Sequence, residues 1–186
     1  MASFKITGGK KLSGSIIPQG AKNEALQVIA ATLLSEKKII INNIPIITDV
    51  ICLMDMLKDL GVKIKKISTN SYSFEAKKIK LNYLETDLFL RKSGKIRASV
   101  MLSGPLLARF GKAIMCPPGG DKIGRRRLDT HFIGLSKLGG IFTPKNNYYQ
   151  IKTKQLKGSY MLLEEASVTG TANIIMAAAL ANGKTT

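Results

Sequence analysis

The sequence predicts an α+β fold built from internally duplicated units, and three observations carry that reading. A pattern of helix, strand, helix and hairpin occurs twice, and the opening helix occurs a third time. Helix starts near residues 24, 97 and 172 set a period of roughly 74 residues, longer than solenoid repeats and suited to a few docked units. The stretches "MLKDLGVKI" and "GLSKLGGIF" hold equivalent places in the two full copies.

The first twenty residues lie outside the repeat. "FKITGGKKLSGSIIP" reads as strand, turn and strand without a copy elsewhere, so it is expected to belong to another layer or domain. "NEALQVIAATLLSEKK" has helical apolar spacing and leads into the β-branched run "IIINN". "TDVICLMDMLKDLG" opens on Thr48 as N-cap and closes on Gly61. "VKIKKIS" and "SYSFEAK" alternate like the arms of a hairpin. In the second copy, "RASVMLSGPLLARFG" is helical, "KAIMCPP" a strand, "LDTHFIGLSKLGG" a helix and "IFTPKNNYYQIK" a hairpin. "TANIIMAAALANGKTT" begins a third unit that is cut after its helix, so the chain is expected to be a portion of something longer. A helix pair with a few strands cannot bury all its apolar faces alone. The units must dock, with helices inside and sheets outside or the reverse.

Of 186 residues, 45% are hydrophobic and 22% charged, as in folded proteins generally. The charge balance is unusual: 29 Lys+Arg against 12 Asp+Glu give +17, which points to an anionic partner. Nucleic acid, a membrane surface and phosphorylated small molecules compete for that role. Many lysines, as in "SEKKIIINN" and "EAKKIKLN", flank strand-like runs and read as solvated faces. With 6% aromatic residues and no Trp, the chain offers no stacking platform for nucleic acid bases. Cys52 and Cys116 sit in apolar runs and read as buried free thiols. One His and no Cys-x-x-Cys leave no zinc pattern. No run reaches the ~18 apolar residues of a spanning helix and no signal-peptide core is present, which reads as cytoplasmic.

The common phosphate-loop, dinucleotide and nucleophile-elbow spacings are missing. What stands out instead is a set of basic residues at helix starts: Lys22, Arg97 and the run "RRRLDT". Helix N-termini present unpaired amides and the positive end of the dipole, so a cation there is unfavourable unless an anion joins it. The repetition predicts one site where several helix ends converge on a multiply charged ligand. Arginine suits it, because its planar fork matches phosphate and carboxylate oxygens in pairs. The alternative for Arg97 is an ion pair with Glu24 or Glu85. His131 reads as a packing or hydrogen-bonding residue, and Asp121, after Pro-Pro-Gly-Gly, as a turn residue on a loop shaped to move.

Four stretches, "GAKNEAL", "RASVMLSGPLLARFG", "PPGGDKIGRRRLDTH" and "ASVTGTANIIMAA", together resemble the UDP-N-acetylglucosamine 1-carboxyvinyltransferase family of enolpyruvyl transferases. The resemblance runs from about Phe4 to the last residue. It implies an inside-out α/β-type domain of βαβαββ units, the third truncated, over residues 22–186, with residues 1–21 as a hairpin of a missing second domain. It implies transfer of enolpyruvyl from phosphoenolpyruvate to the 3′-hydroxyl of UDP-N-acetylglucosamine with release of phosphate, the first committed step of peptidoglycan precursor synthesis. No cofactor, metal, nucleic acid or membrane is expected, only the two small-molecule substrates.

By motif position, Lys22 and Asn23 would lie at the phosphoenolpyruvate and sugar site, with Lys22 catalytic. Arg97 and Arg126 would hold phosphate and carboxylate charge. Arg126, Arg127, Leu128, Asp129 and Thr130, with Glu165, Ala166, Ser167 and Val168, would line the UDP-sugar. Asp121 replaces the cysteine of many members, the proton donor that fosfomycin alkylates, so a fosfomycin-insensitive loop is expected. A base for the sugar hydroxyl and a further arginine would come from the second domain, so this portion alone is expected to be inactive. Two departures stand out: "RRRLDT" in place of the usual Arg-Pro-Val-Asp-Leu, and "ASVTGT" in place of Ser-Val-Gly-Ala-Thr. The alternatives are the shikimate-pathway enolpyruvyl transferases, which carry a Gly-Ser-Lys-Ser type motif where this chain has "GAKN", and a basic nucleic-acid-binding domain.

Overall fold

The computed structural model describes residues 3–120, 124 and 127–186. Helix α1 (Lys22–Ala31) buries Ala25, Leu26, Ile29 and Ala30, one stripe at helical spacing, and tightens into a 3₁₀ turn over Thr32–Leu34. Strand β1 (Ile39–Ile41) follows, then α2 (Thr48–Leu60), which ends at a left-handed Gly61 with φ 108° as expected. Thr48 is the first helical residue and Ile47 the cap, so Thr48 does not serve as the expected cap and the helix start gains no side-chain capping bond. β2 (Lys63–Ser68) and β3 (Ser71–Glu75) form the expected hairpin, and β1 joins the far edge of β3 to give an antiparallel sheet of order β1-β3-β2.

Between the units the chain forms a 3₁₀ turn (Leu81–Glu85) and a short helix, α3 (Asp87–Ser93). Thr86 Oγ1 accepts from Phe89 N to cap α3. The second unit then repeats the first. A 3₁₀ segment (Arg97–Leu102) runs into α4 (Ser103–Phe110), β4 (Lys112–Met115), α5 (Asp129–Lys137), β5 (Ile141–Pro144) and β6 (Tyr149–Lys152). Its sheet has the same order, β4-β6-β5. The stretch expected to be one helix is 3₁₀ in its first half, where serine hydroxyls bond back to the main chain: Ser99 Oγ shares its one hydrogen between Ile96 O and Ser93 O, and Ser103 Oγ donates to Val100 O. The third unit contributes α6 (Val168–Ala178), after which residues 182–186 run parallel to 156–161 through four backbone bonds of 2.7–3.1 Å.

The open question of layering is answered by burial. The core is made mainly of helical side chains such as Ile29, Leu53, Leu57, Leu106, Leu107 and Leu135, all fully buried, and α6 packs on α1, α4 and α5. Helices lie inside, and each sheet covers them with one face. Ile40, Ile67 and Ile141 on the outer faces are 54%, 52% and 68% exposed. Arg109, near the end of α4, joins the two units: Nη1 donates to Leu33 O, Ser35 O and Ala76 O, and Nη2 to Glu36. Cys52 is partly buried and Cys116 buried, both free, and burial pushes both thiols up.

The strand pair expected at 4–18 does not form. Residues 3–20 contain no strand, and Phe4, Ile6, Leu12, Ile16 and Ile17 are each at least 89% exposed. A two-stranded hairpin is marginal in water without a third strand or a layer to cover its apolar face, and no described element of this chain supplies one.

Candidate active site

Five helical starts from all three units face one cleft with a free volume of about 140 Å³. Lys22 and Asn23 are the first two residues of α1, Asp49 the second of α2, and Arg97 opens the 3₁₀ segment. His131 is the third residue of α5 and Thr169 the second of α6. The repeat explains the convergence: equivalent elements of docked units point their N-termini the same way. Lys22 and Arg97, expected from the sequence to share a site, both line this cleft. The Lys22 Nζ sits 3.0 Å from Asp49 Oδ2, with both side chains more than 40% exposed. Solvent screens such a pair, so it orients the ammonium at little energetic cost to a ligand that replaces it. Arg97 Nη2 donates to Arg127 O at 2.9 Å, tying the cleft to the segment that enters α5. Glu85, one partner considered for Arg97, is held by Lys112 and Gln150 instead.

His131 lies in the floor of this cleft, 2% exposed. Burial, assisted by the Arg97 charge, pulls its pKa down from 6.5 to about 4, so the ring is neutral at pH 7. Its partners are fixed by Asn173, which is fully buried in α6. Gly104 N donates to Asn173 Oδ1 at 2.8 Å, so the amide nitrogen must face the other way. There it lies 2.9 Å from Ser103 Oγ and 3.0 Å from His131 Nδ1. Gly104 permits this approach: a Cβ there would meet Asn173 Oδ1 at 2.4 Å.

A second cleft of about 130 Å³ lies on the other side of the segment entering α5. It gathers Arg127, Asp129, Thr130 and Glu165. Arg127 Nε donates to Asp129 Oδ2 at 2.8 Å, and Thr130 Oγ1 is 3.5 Å from Glu165 Oε1. Leu128 lines the first cleft. Ala166 and Val168 are exposed, and Ser167 Oγ caps α6 by accepting from Gly170 N at 3.2 Å. Asp121 and Arg126 lie outside the described residues. Sequence reasoning missed Asp49 and Asn173, marked Thr169 only as part of the departing stretch "ASVTGT", and gave His131 only a packing or hydrogen-bonding role. The signal available for His131 was its place three residues into a helix start already marked as basic.

The family model described as EPSP synthase (3-phosphoshikimate 1-carboxyvinyltransferase) matches residues 6–186. Among curated relatives, the UDP-N-acetylglucosamine 1-carboxyvinyltransferase of Bacteroides fragilis is 59% identical, over 100% of this chain and 43% of the relative. The protein of the same name from Porphyromonas gingivalis is 52% identical over the same shares. This chain therefore spans less than half the length of the curated relatives it matches. Among solved structures, the enolpyruvyl transferase NikO from Streptomyces tendae superposes with a TM-score of 0.75 at 16% identity, over 96% of this chain and 41% of that one. EPSP synthase from Acinetobacter baumannii gives 0.67 at 20% identity, over 92% and 40%. These two likenesses show the fold. With a family model spanning nearly the whole chain, and that fold beneath it, the chain belongs to the EPSP synthase family of enolpyruvyl transferases.

Proposed function

We propose that this chain supplies the N-terminal part of an enzyme that transfers enolpyruvyl from phosphoenolpyruvate to the 3′-hydroxyl of UDP-N-acetylglucosamine. The observation that carries the reading is the cleft where Lys22 and Arg97 meet at convergent helix starts, in a chain 59% identical to a relative of that name. Phosphoenolpyruvate is small and multiply charged, as a site of ammonium, guanidinium and unpaired helix amides requires. The second cleft, with Arg127, Asp129, Thr130 and Glu165, takes the polar UDP-sugar beside it.

In this reading the sugar oxygen attacks C2 of phosphoenolpyruvate while Asp121 delivers a proton to the C3 methylene. The tetrahedral adduct then loses a proton from C3 and its C2–O(phosphate) bond breaks, leaving the vinyl ether and inorganic phosphate. Lys22, Arg97 and Arg126 stabilise the phosphate and carboxylate charge through both steps. Asn23 orients the substrates at the same helix start, and Leu128 closes the apolar side of the cleft. Ala166, Ser167 and Val168 carry Glu165 into the UDP-sugar cleft. Residues 1–21 dock on a second domain through the exposed Phe4, Ile6, Leu12, Ile16 and Ile17, and residues 22–186 form the first domain. The base for the sugar hydroxyl comes from outside this chain. The reaction is cytoplasmic and supplies peptidoglycan precursors.

The test is phosphate release by the protein expressed from its whole reading frame, with each acceptor in turn. Release from phosphoenolpyruvate that requires UDP-N-acetylglucosamine supports the reading. Release that requires shikimate 3-phosphate instead replaces it with the sister activity.

A further inference from the structure

Asn173 has no place in the reaction above, yet it is fully buried and its amide is bonded on both sides. Its amide orientation is dictated by Gly104 N, which donates to Oδ1. The two amide hydrogens are then directed at the two nearest acceptors, Ser103 Oγ at 2.9 Å and His131 Nδ1 at 3.0 Å, with Val100 O farther away at 3.3 Å. Ser103 Oγ spends its own hydrogen on Val100 O, so it can only accept from Asn173. His131 Nδ1 must therefore carry a lone pair, and the ring proton sits on Nε2. Nε2 lies 3.5 Å from Thr169 Oγ1, at the limit of a hydrogen bond, and both residues line the cleft. A buried N–H with so poor a partner remains largely unsatisfied until something better arrives.

From this geometry we propose that Asn173 is a positioning residue, which locks His131 as the neutral Nε2–H tautomer so that it donates a hydrogen bond to an oxygen of the anion held by Lys22 and Arg97. The proposal rests on the reading of that cleft as the phosphoenolpyruvate site. Neutrality suits the task. Among the described residues the charged groups lining the cleft are Lys22, Arg97 and Asp49, and the Arg97 charge disfavours a proton on the ring. A neutral donor adds direction without adding charge. Thr169 completes the pair of polar groups at this end of the cleft.

His131 is the chain's single histidine, so its ring nitrogens give an unambiguous nitrogen-15 NMR signal. The expected spectrum shows one neutral tautomer, protonated at Nε2, unchanged from pH 8 to pH 6. Adding phosphoenolpyruvate at pH 7.5 is expected to shift the Nε2 resonance. Asn173→Asp replaces the amide donor with an acceptor and is expected to move the ring proton to Nδ1. Because it removes one hydrogen bond to the ligand, the same substitution weakens phosphoenolpyruvate binding about tenfold. An Nδ1–H tautomer or a tautomer mixture in the unmodified chain overturns the positioning role, whatever the variant's folding. Binding of phosphoenolpyruvate that leaves the Nε2 resonance unmoved overturns the donor role alone. An unmodified chain in the expected tautomer that binds no phosphoenolpyruvate overturns the cleft's assignment, and the donor role with it.

Discussion

Acid should destabilise this protein through His131 before it acts on most carboxylates. The ring is neutral and buried in the folded chain, with its pKa lowered from 6.5 to about 4, while the unfolded chain titrates near the ordinary value. Between those two values the unfolded state binds a proton that the folded state does not. The contribution is therefore fully present above pH 6.5 and is lost as pH falls toward 4. A tenfold difference in proton affinity between the two states is worth about 1.4 kcal/mol, so the loss attributable to this residue between pH 7 and pH 4 is roughly 3 kcal/mol. The carboxyls of Asp59, bonded by Lys92 and Tyr83, and of Glu85, bonded by Lys112, are also held below their usual range. Their contributions too are lost on acidification, at lower pH, and they are shared by any His131 variant. Urea unfolding of the unmodified chain and of His131→Gln across this range separates the contributions. The variant starts less stable, and the gap closes by roughly 3 kcal/mol as pH falls from 7 to 4. Two parallel curves would refute the assignment of a neutral, desolvated ring.

Arg109 offers a second test at the joint between units. Arg109→Ala leaves the carbonyls of Leu33, Ser35 and Ala76 without this donor and should cost about 2–4 kcal/mol in urea unfolding, with Arg109→Lys recovering only part. The acid at Asp121 should make the complete enzyme turn over in the presence of fosfomycin, since a carboxyl is a poor epoxide nucleophile beside a thiolate. Asp121→Cys should restore irreversible inhibition, measured as time-dependent loss of phosphate release.

The repeat was legible because each unit writes its elements in the same order with clear periodicities: the α1 stripe Ala25, Leu26, Ile29 and Ala30, the alternation in β2 and β3, and the Gly61 stop. That Lys22 and Arg97 line one cleft was legible too, since basic residues at equivalent helix starts of docked units are brought to the same side of the fold. What the pattern hid were interactions set by tertiary contact. Asn173 reaches His131 across 42 residues and Ser103 across 70, distances at which no local periodicity speaks. Helix α3 is seven residues long, too short for an apolar stripe to show, and only its Thr86 cap marks it. The apolar alternation of residues 4–18 is real, but a strand exists only when something pairs with it. The large basic surplus misleads in a different way. Lys63, Lys65 and Lys66 lie exposed on β2, on the outer layer and away from the cleft, so the net charge overstates what the site itself contributes.

Whether the convergent helix starts hold an anion decides the functional reading. Calorimetric titration of the chain with phosphoenolpyruvate, compared across Lys22→Ala, Arg97→Ala and the outer-sheet control Lys65→Ala, measures this directly. Removing either cleft cation should weaken binding about tenfold or more, each acting through a charge-assisted bond, while Lys65→Ala leaves it unchanged. Equal affinity in all four proteins, or a loss in the control as large as in the cleft variants, would contradict it.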